Sequence, residues 1–188
     1  MSETISSLFA TRIAQSHRWL LEAVTDLDQS QLEWRPAPTA PAIGFHLWHA
    51  ARWSDRLQAR MPQMLGREAG PEIWTLSEFS ERWALEPSVL GFGATGMGMD
   101  EGQSAQVPLA GRDLLLEYAR LTFEACDRAI AGLRDADLTR TGENVMYDRD
   151  DQVRLGATVL NHMSHITRHL GMIEALKGLI GQRGTVTI

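Results

Sequence analysis

The sequence contains very little cysteine. Cys126 is the only cysteine among 188 residues, so no internal disulfide bond can form and a disulfide-stapled secreted scaffold is excluded. The first residues also lack the positively charged start and the apolar run that mark a secretory signal peptide. Together, these two features predict a protein of the reducing cytoplasm.

Long hydrophobic runs are also missing, because charged residues interrupt every apolar stretch within a few positions. A membrane-spanning helix needs about 18 or more consecutive apolar residues, so we expect no membrane partner. Positive charge is in deficit: 18 lysine and arginine residues stand against 24 acidic residues, giving a formal net charge of −6. That balance disfavours contact with phosphate backbones. The predicted partner is therefore a small-molecule substrate and not a nucleic acid.

The apolar residues that are present recur with the period of an α-helix. Hydrophobic residues make up 44% of the chain, which is enough for the core of a single domain over residues 1–188, with about 181–188 as a loose tail. Helical spacing predicts four long helices over approximately 3–27, 39–62, 113–134 and 152–178.

Two local signals add detail to this pattern. Thr39 is the predicted N-cap of the second long helix, and Thr75 with Glu78 three residues later fits a capping box that begins a short helix. Residues 135–151 are interpreted as a polar loop. The predicted fold class is all-α, a four-helix bundle with long connections and a short extra helix.

A glycine-rich segment, residues 87–108, separates the predicted helices. It holds five glycines, a density that predicts a long loop. Residues 91–96 (GFGATG) fit the G-x-G-x-x-G pattern of dinucleotide-binding proteins, but no strand–helix–strand unit surrounds them. A mobile cover near a functional site is therefore favoured over a nucleotide-binding loop.

The distribution of histidine carries the strongest functional signal. Five of the six histidines fall on two predicted helices, His46 and His49 on the second and His162, His165 and His169 on the last. Residues four apart share one helix face, so His165 and His169 can direct their rings at one point. An ion there needs a further ligand from another helix. The pattern favours a three-histidine metal site over histidines that simply complete the core edge.

Spacing alone leaves the ligand set open. Projection at about 100° per residue places His46, His162 and His169 nearer the centre of the apolar stripes than His49 and His165. However, His162 and His169 are separated by about 10.5 Å along the helix axis, which makes convergence on one ion awkward. Chelate geometry instead favours His165 with His169.

Three segments resemble the DinB/YfiT-like metalloenzymes: residues 32–36 (LEWRP), 43–52 (IGFHLWHAAR) and 165–172 (HITRHLGM). The resemblance spans nearly the whole chain. It implies a four-helix bundle that acts as a homodimer. Leu170 and Met172 stand where many members carry arginine and glutamine around the glycine.

The same resemblance implies the ligands of a divalent metal ion. One histidine of the second helix and two of the last hold the ion, which carries over to His49, His165 and His169. His46 and His162 lie outside the matched positions and become outer or core residues.

Three neutral imidazoles leave coordination positions open, which is typical of a catalytic centre. Imidazole suits Zn, Ni and Fe alike. The resemblance implies an enzyme that activates water or a low-molecular-weight thiol, as a hydrolase or a thiol transferase. The alternatives are a non-catalytic metal-binding or stress-response bundle, and a partner-binding bundle without metal.

Three further residues were considered for chemistry. Arg52 and Arg168 are candidates to bind an acidic substrate. Cys126 lies on an apolar helix with no histidine or lysine close in sequence, so it is interpreted as a small buried hydrophobe and not as a nucleophile.

Overall fold

A computed structural model describes residues 3–84 and 86–184 of the chain. In chain order the elements are α1 (Ile5–Thr25), α2 (Gln29–Leu32), α3 (Ile43–Met64), α4 (Ile73–Leu76), α5 (Phe79–Arg82), a 3-10 turn (Pro87–Val89), α6 (Glu101–Ala105), α7 (Arg112–Ala131), α8 (Asp135–Leu138), β1 (Thr141–Asn144), β2 (Arg149–Arg154) and α9 (Leu155–Leu179).

The four long helices form a bundle in which α3 packs against α7 and α9, and α1 packs against the same two helices. Each long helix contributes apolar side chains that are almost fully buried, among them Ile13, Leu20, Leu47, Leu57, Leu115, Phe123, Val159 and Ile166. Burying one such side chain stabilises the fold by about 1.5–3 kcal/mol. The predicted class, a four-helix bundle with long connections, is confirmed.

The start of α3 differs from the prediction. Thr39 is not its N-cap, because the helix begins at Ile43 and its N-cap, Ala42, makes no side-chain capping bond. Instead, the Ile43 amide donates to the carbonyl of Trp34 at 3.3 Å. A backbone group distant along the chain therefore does what the sequence assigned to a local threonine.

The predicted capping box at Thr75 and Glu78 is also wrong. Thr75 lies inside α4, while Glu78 has φ 54° and precedes α5. The free amides at the start of α4 are bound by the carboxylate of Asp55 on α3, which accepts from Ile73 at 2.8 Å and from Trp74 at 2.8 Å. The cap of this short helix is tertiary and cannot be recognised from local sequence.

The segment predicted as a polar loop contains α8 and a two-stranded antiparallel sheet. Thr141 pairs with Arg154, and an irregularity between Glu143 and Asn144 interrupts the register. β2 is exposed at five of its six positions, so it lacks the alternation of apolar and polar residues by which strands are recognised. β1 contacts α3 and β2 contacts α9, which places the hairpin beside the two histidine-bearing helices.

None of the helices in residues 3–84 and 86–184 combines the length and the apolar character that a membrane crossing requires. At the end of α9, Gln182 donates its amide to the carbonyl of Lys177 at 2.9 Å, which continues the last helical turn into the predicted loose tail. Residues 185–188 of that tail lie outside the described residues.

Candidate metal centre

Helices α3 and α9 lie side by side and bring the five clustered histidines to their shared interface. His46 and His162 are nearly buried, with 8% and 6% exposed, whereas His49, His165 and His169 are partly exposed. The helical projection therefore predicted burial correctly for His46 and His162. It did not identify the residues that face the cavity.

His49, His165 and His169 lie together. One ring nitrogen from each falls within 4.8 Å of the others, and the Nε2 atoms of His49 and His165 are 3.0 Å apart. Nitrogens bonded to one zinc ion at ~2.0–2.1 Å lie roughly 3 Å from each other. The three side chains that the family resemblance implies as ligands are therefore the ones that the structure brings together.

The polar atoms of these rings are poorly satisfied without a further group. Two Nε2 atoms 3.0 Å apart share at most one hydrogen bond, since one ring must donate to the other. Within the described residues, Nδ1 of His49 and Nδ1 of His165 are buried without a hydrogen-bond partner of normal geometry. Buried polar atoms that stay unpaired are costly. A cation that accepts lone pairs from the rings fits this arrangement.

Burial keeps the imidazoles neutral. It lowers the pKa of His49 to about 3, with the nearby His165 adding to the effect, and it lowers the pKa of His165 to about 4. The pKa of His169 is lowered further, by burial first and then by His49 and His165. A neutral imidazole offers a lone pair to a metal ion and an imidazolium does not. At neutral pH the donor set is ready to bind an ion.

The remaining two histidines of the cluster point to different partners. Nδ1 of His46 lies 3.1 Å from Nδ1 of His169, a position that orients His169 from behind. Nε2 of His162 lies 3.3 Å from Oγ of Ser54 and 3.9 Å from Sγ of Cys126. His162 thus belongs to a second group inside the bundle, although its edge also lines the cavity.

The cavity beside the three histidines has a volume of about 340 Å³. Its walls come from α3, α9, the hairpin and the glycine-rich loop, and include Trp53, Met97, Tyr147, Arg168 and Met172. The ring centres of Trp53 and Tyr147 are 5.3 Å apart. A pocket of this size, mostly apolar with few polar groups, accommodates a small organic molecule.

The glycine-rich loop covers one side of the centre, as its predicted role requires, while its mobility stays a prediction. Gly96 has φ +87°, and a Cβ built there would lie 2.9 Å from Nδ1 of His49 and 3.1 Å from the ring of Trp48. Glycine is needed here both for the backbone conformation and for the close approach to the histidine.

Two arginines of α3 hold the loops around the cavity, and the sequence did not reveal this role. Arg52 is 1% exposed and donates to the carbonyls of Ala94 at 2.9 Å and Gly93 at 3.1 Å. Arg56, one turn later, donates to the carbonyl of Met146 at 2.8 Å in the hairpin. The spacing of His49, Arg52 and Arg56 along one helix face was the available signal.

Arg52 is therefore unsuited to the substrate-binding role considered for it, since it is also committed to Glu72 at 2.7 Å. Arg168 lines the cavity and keeps that role open. Cys126 is fully buried, as predicted, but the tertiary structure brings two histidines, His17 and His162, close to its thiol. Proximity along the chain did not indicate these neighbours.

Comparison with known proteins agrees with this geometry. The conserved protein of a locus from Enterococcus faecalis, solved by crystallography, has 16% sequence identity and a TM-score of 0.76, covering 96% of this chain and 100% of that chain. At this identity the likeness supports the fold alone. No curated protein matches the sequence. The DinB superfamily matches residues 12–173, and the chain belongs to this superfamily.

Proposed function

We propose that the protein is a divalent-metal-dependent enzyme whose centre is formed by His49, His165 and His169. The observation that carries this proposal is the convergence of three neutral imidazoles on the wall of a cavity large enough for a small organic substrate. When bound, the ion supplies Lewis-acid chemistry that acidifies a water molecule or a thiol and polarises a carbonyl group.

The lining of the cavity favours a thiol over water as the nucleophile. Among the described residues, no aspartate or glutamate lines this cavity, so water there has no carboxylate general base. A thiol needs no such base once its proton is lost, because the thiolate is itself a strong nucleophile. We therefore favour transfer of a low-molecular-weight thiol, and keep hydrolysis as the second candidate reaction.

The chain's own residues suit a substrate that is apolar with one anionic group. Trp53 and Tyr147 form an aromatic wall, which excludes water and binds an apolar body. The guanidinium of Arg168 lies at the same cavity and suits a carboxylate or another planar anion. The anchored glycine-rich loop closes the opposite side over His49.

The decisive experiment begins with protein purified without a histidine tag and analysed for its metal content. The apoprotein is then loaded separately with Zn²⁺, Ni²⁺ or Fe²⁺. Each form is assayed for conjugation of a small thiol to a chlorinated electrophile, in which an S–C bond forms, chloride leaves and a proton is released. A parallel assay measures ester hydrolysis without thiol.

We expect turnover that requires both an ion and a thiol, and that is lost in His165→Ala. Arg82→Ala is the matched control, because Arg82 lies on a surface helix and pairs with Glu117. Stoichiometric ion binding without turnover in either assay would instead support the non-catalytic metal-binding bundle. Absence of bound ion after loading would contradict the centre itself.

The homodimer implied by the family resemblance stays a prediction, and we propose it for the protein in solution. Light scattering coupled to size-exclusion chromatography would measure a mass of twice the 21.0 kDa chain. A mass of one chain at micromolar concentration would contradict it.

A further inference from the structure

A second group of potential ligands lies inside the bundle, and each of the four long helices contributes one member. His17 comes from α1, Ser54 from α3, Cys126 from α7 and His162 from α9. All four side chains are buried, with exposed fractions between 0% and 6%. A polar group of this kind in a core needs a full set of partners.

The polar atoms of this group converge. Ligand atoms of His17, Cys126 and His162 all fall within 4.8 Å of one another. Oγ of Ser54 is 3.1 Å from Nε2 of His17 and 3.3 Å from Nε2 of His162, while Sγ of Cys126 is 3.9 Å from that same His162 atom. Bonds of ~2.0–2.3 Å to a tetrahedral zinc ion place its ligands roughly 3.3–3.8 Å apart, so the four atoms approximate such an arrangement.

Hydrogen bonds alone do not satisfy the group. Ser54 has a single hydroxyl proton and donates it to the carbonyl of Ala50 at 2.9 Å. Nδ1 of His17 lies 2.7 Å from Oδ1 of Asp127, the position of a donor to that carboxylate. In the neutral ring, Nε2 of His17 then presents a lone pair for which the cluster offers no donor. A cation would accept that lone pair.

The surrounding charges also suit a divalent ion. A carboxylate that accepts from the far nitrogen of a histidine is the usual outer partner of a metal ligand, and it fixes the ring orientation. The carboxylate of Asp127 and a thiolate at Cys126 together balance two positive charges. Burial raises the pKa of the Cys126 thiol well above its ordinary value, so the thiol keeps its proton until an ion displaces it.

We propose that His17, Cys126 and His162 form a second, buried site for a thiophilic divalent cation such as Zn²⁺, with Ser54 at the fourth corner. The ion replaces the thiol proton, so one proton is released for each ion bound. Entry is possible from the first centre, because His162 lines both the cavity and the buried group. This site is independent of the reaction proposed for the first centre.

Cobalt provides the test, because a thiolate bound to Co²⁺ gives an intense near-ultraviolet charge-transfer band that imidazole ligands do not. We expect the metal-free protein to develop this band when titrated with Co²⁺. The double variant His165→Ala and His169→Ala should keep the band and bind one equivalent. Cys126→Ser should lose the band and still bind one equivalent at the first centre.

The outer carboxylate gives a second, milder test. Asp127→Asn should weaken the affinity associated with the band by roughly 10–100-fold. Glu124→Gln is the matched control, because Glu124 lies on the same helix and its side chain is 66% exposed, and it should bind as the unaltered protein does. No band in the unaltered protein at saturating Co²⁺, or a band that persists in Cys126→Ser, would overturn the proposal and leave a hydrogen-bonded core cluster.

Discussion

Nδ1 of His46 lies 3.1 Å from Nδ1 of His169, on the side of that ring away from the other ligands. For Nε2 of His169 to offer a lone pair, its Nδ1 must carry the proton and donate it to His46. This arrangement fixes the tautomer and the orientation of the ligand.

His49 and His46 should therefore respond differently to substitution. His49→Ala removes a proposed ligand and should leave no stoichiometric metal after mild chelation. His46→Ala removes only the support of His169, so affinity should fall by roughly 10–100-fold with the site retained. Competition with a chromogenic chelator measures both. The opposite ranking would transfer the ligand role to His46.

Gly96 is predicted to be essential for the centre because its backbone contacts the ring of His49. In Gly96→Ala the new Cβ would lie 2.9 Å from Nδ1 of His49, so the ring or the loop must shift, and we expect metal affinity to fall at least about tenfold. Gly98→Ala is the matched control, because Gly98 also has a positive φ of +81° but no atom lies within 4 Å of its added Cβ. Both variants carry a similar backbone cost of about 1 kcal/mol. Equal affinities in the two variants would contradict the prediction.

The buried carboxylate of Asp55 should contribute strongly to stability. It accepts from two amides of α4 and from the hydroxyl of Tyr118 at 2.9 Å, and it pairs with Arg52 at 3.1 Å. Asp55→Asn keeps the shape but removes the charge opposite a buried guanidinium, which should lower the free energy of unfolding by about 3 kcal/mol. Urea denaturation monitored by circular dichroism measures this loss.

Asp113→Asn is the control for that experiment. Its side chain is 94% exposed and pairs only with the neighbouring Arg112 among the recorded ion pairs, so the change should stay within about 0.5 kcal/mol. Similar losses in the two variants would show that Asp55 is not the anchor that its contacts indicate.

The stability of the metal-free protein should fall as the pH drops from 6.5 towards 5. Burial lowers the pKa of His46 to about 4 and of His49 to about 3, below the value of about 6.5 for the unfolded chain. Between these limits the unfolded chain binds protons that the folded chain does not, so the free energy of unfolding decreases as pH falls. Each such histidine contributes about 1.4 kcal/mol per pH unit.

Urea titrations at pH 7, 6 and 5 test this dependence, because carboxylates remain ionised in most of this range. His46→Gln should show a shallower decrease than the unaltered protein by the share of one histidine. A free energy of unfolding that does not change between pH 7 and 5 would contradict the lowered pKa values.

The sequence by itself determined the main helices and the location of the chemistry. Helical periodicity is a local property, because each turn of α1, α3, α7 and α9 places apolar residues on one stripe. The i, i+4 spacing of His165 and His169 is likewise set by helix geometry, and it pointed to a shared ligand site before any helix was placed.

Tertiary structure decided whatever depends on residues distant along the chain. The start of α3 relies on the Trp34 carbonyl, and the cap of α4 is the carboxylate of Asp55, 18 residues away from Ile73. Local rules assigned these caps to Thr39 and Thr75, because a threonine hydroxyl is a common cap and the true partners carry no local signal. Long-range partners become visible only when the helices pack.

The same reason explains what was missed around the site. His17 stands alone in sequence, and only the packing of α1 against α7 and α9 brings it to Cys126 and His162. Arg52 resembles an exposed helical arginine in sequence, yet the glycine-rich loop folds over it and buries it completely enough to become an anchor. Periodicity determines which face of a helix is apolar, while the packing of neighbouring elements decides which polar residues on that face meet one another.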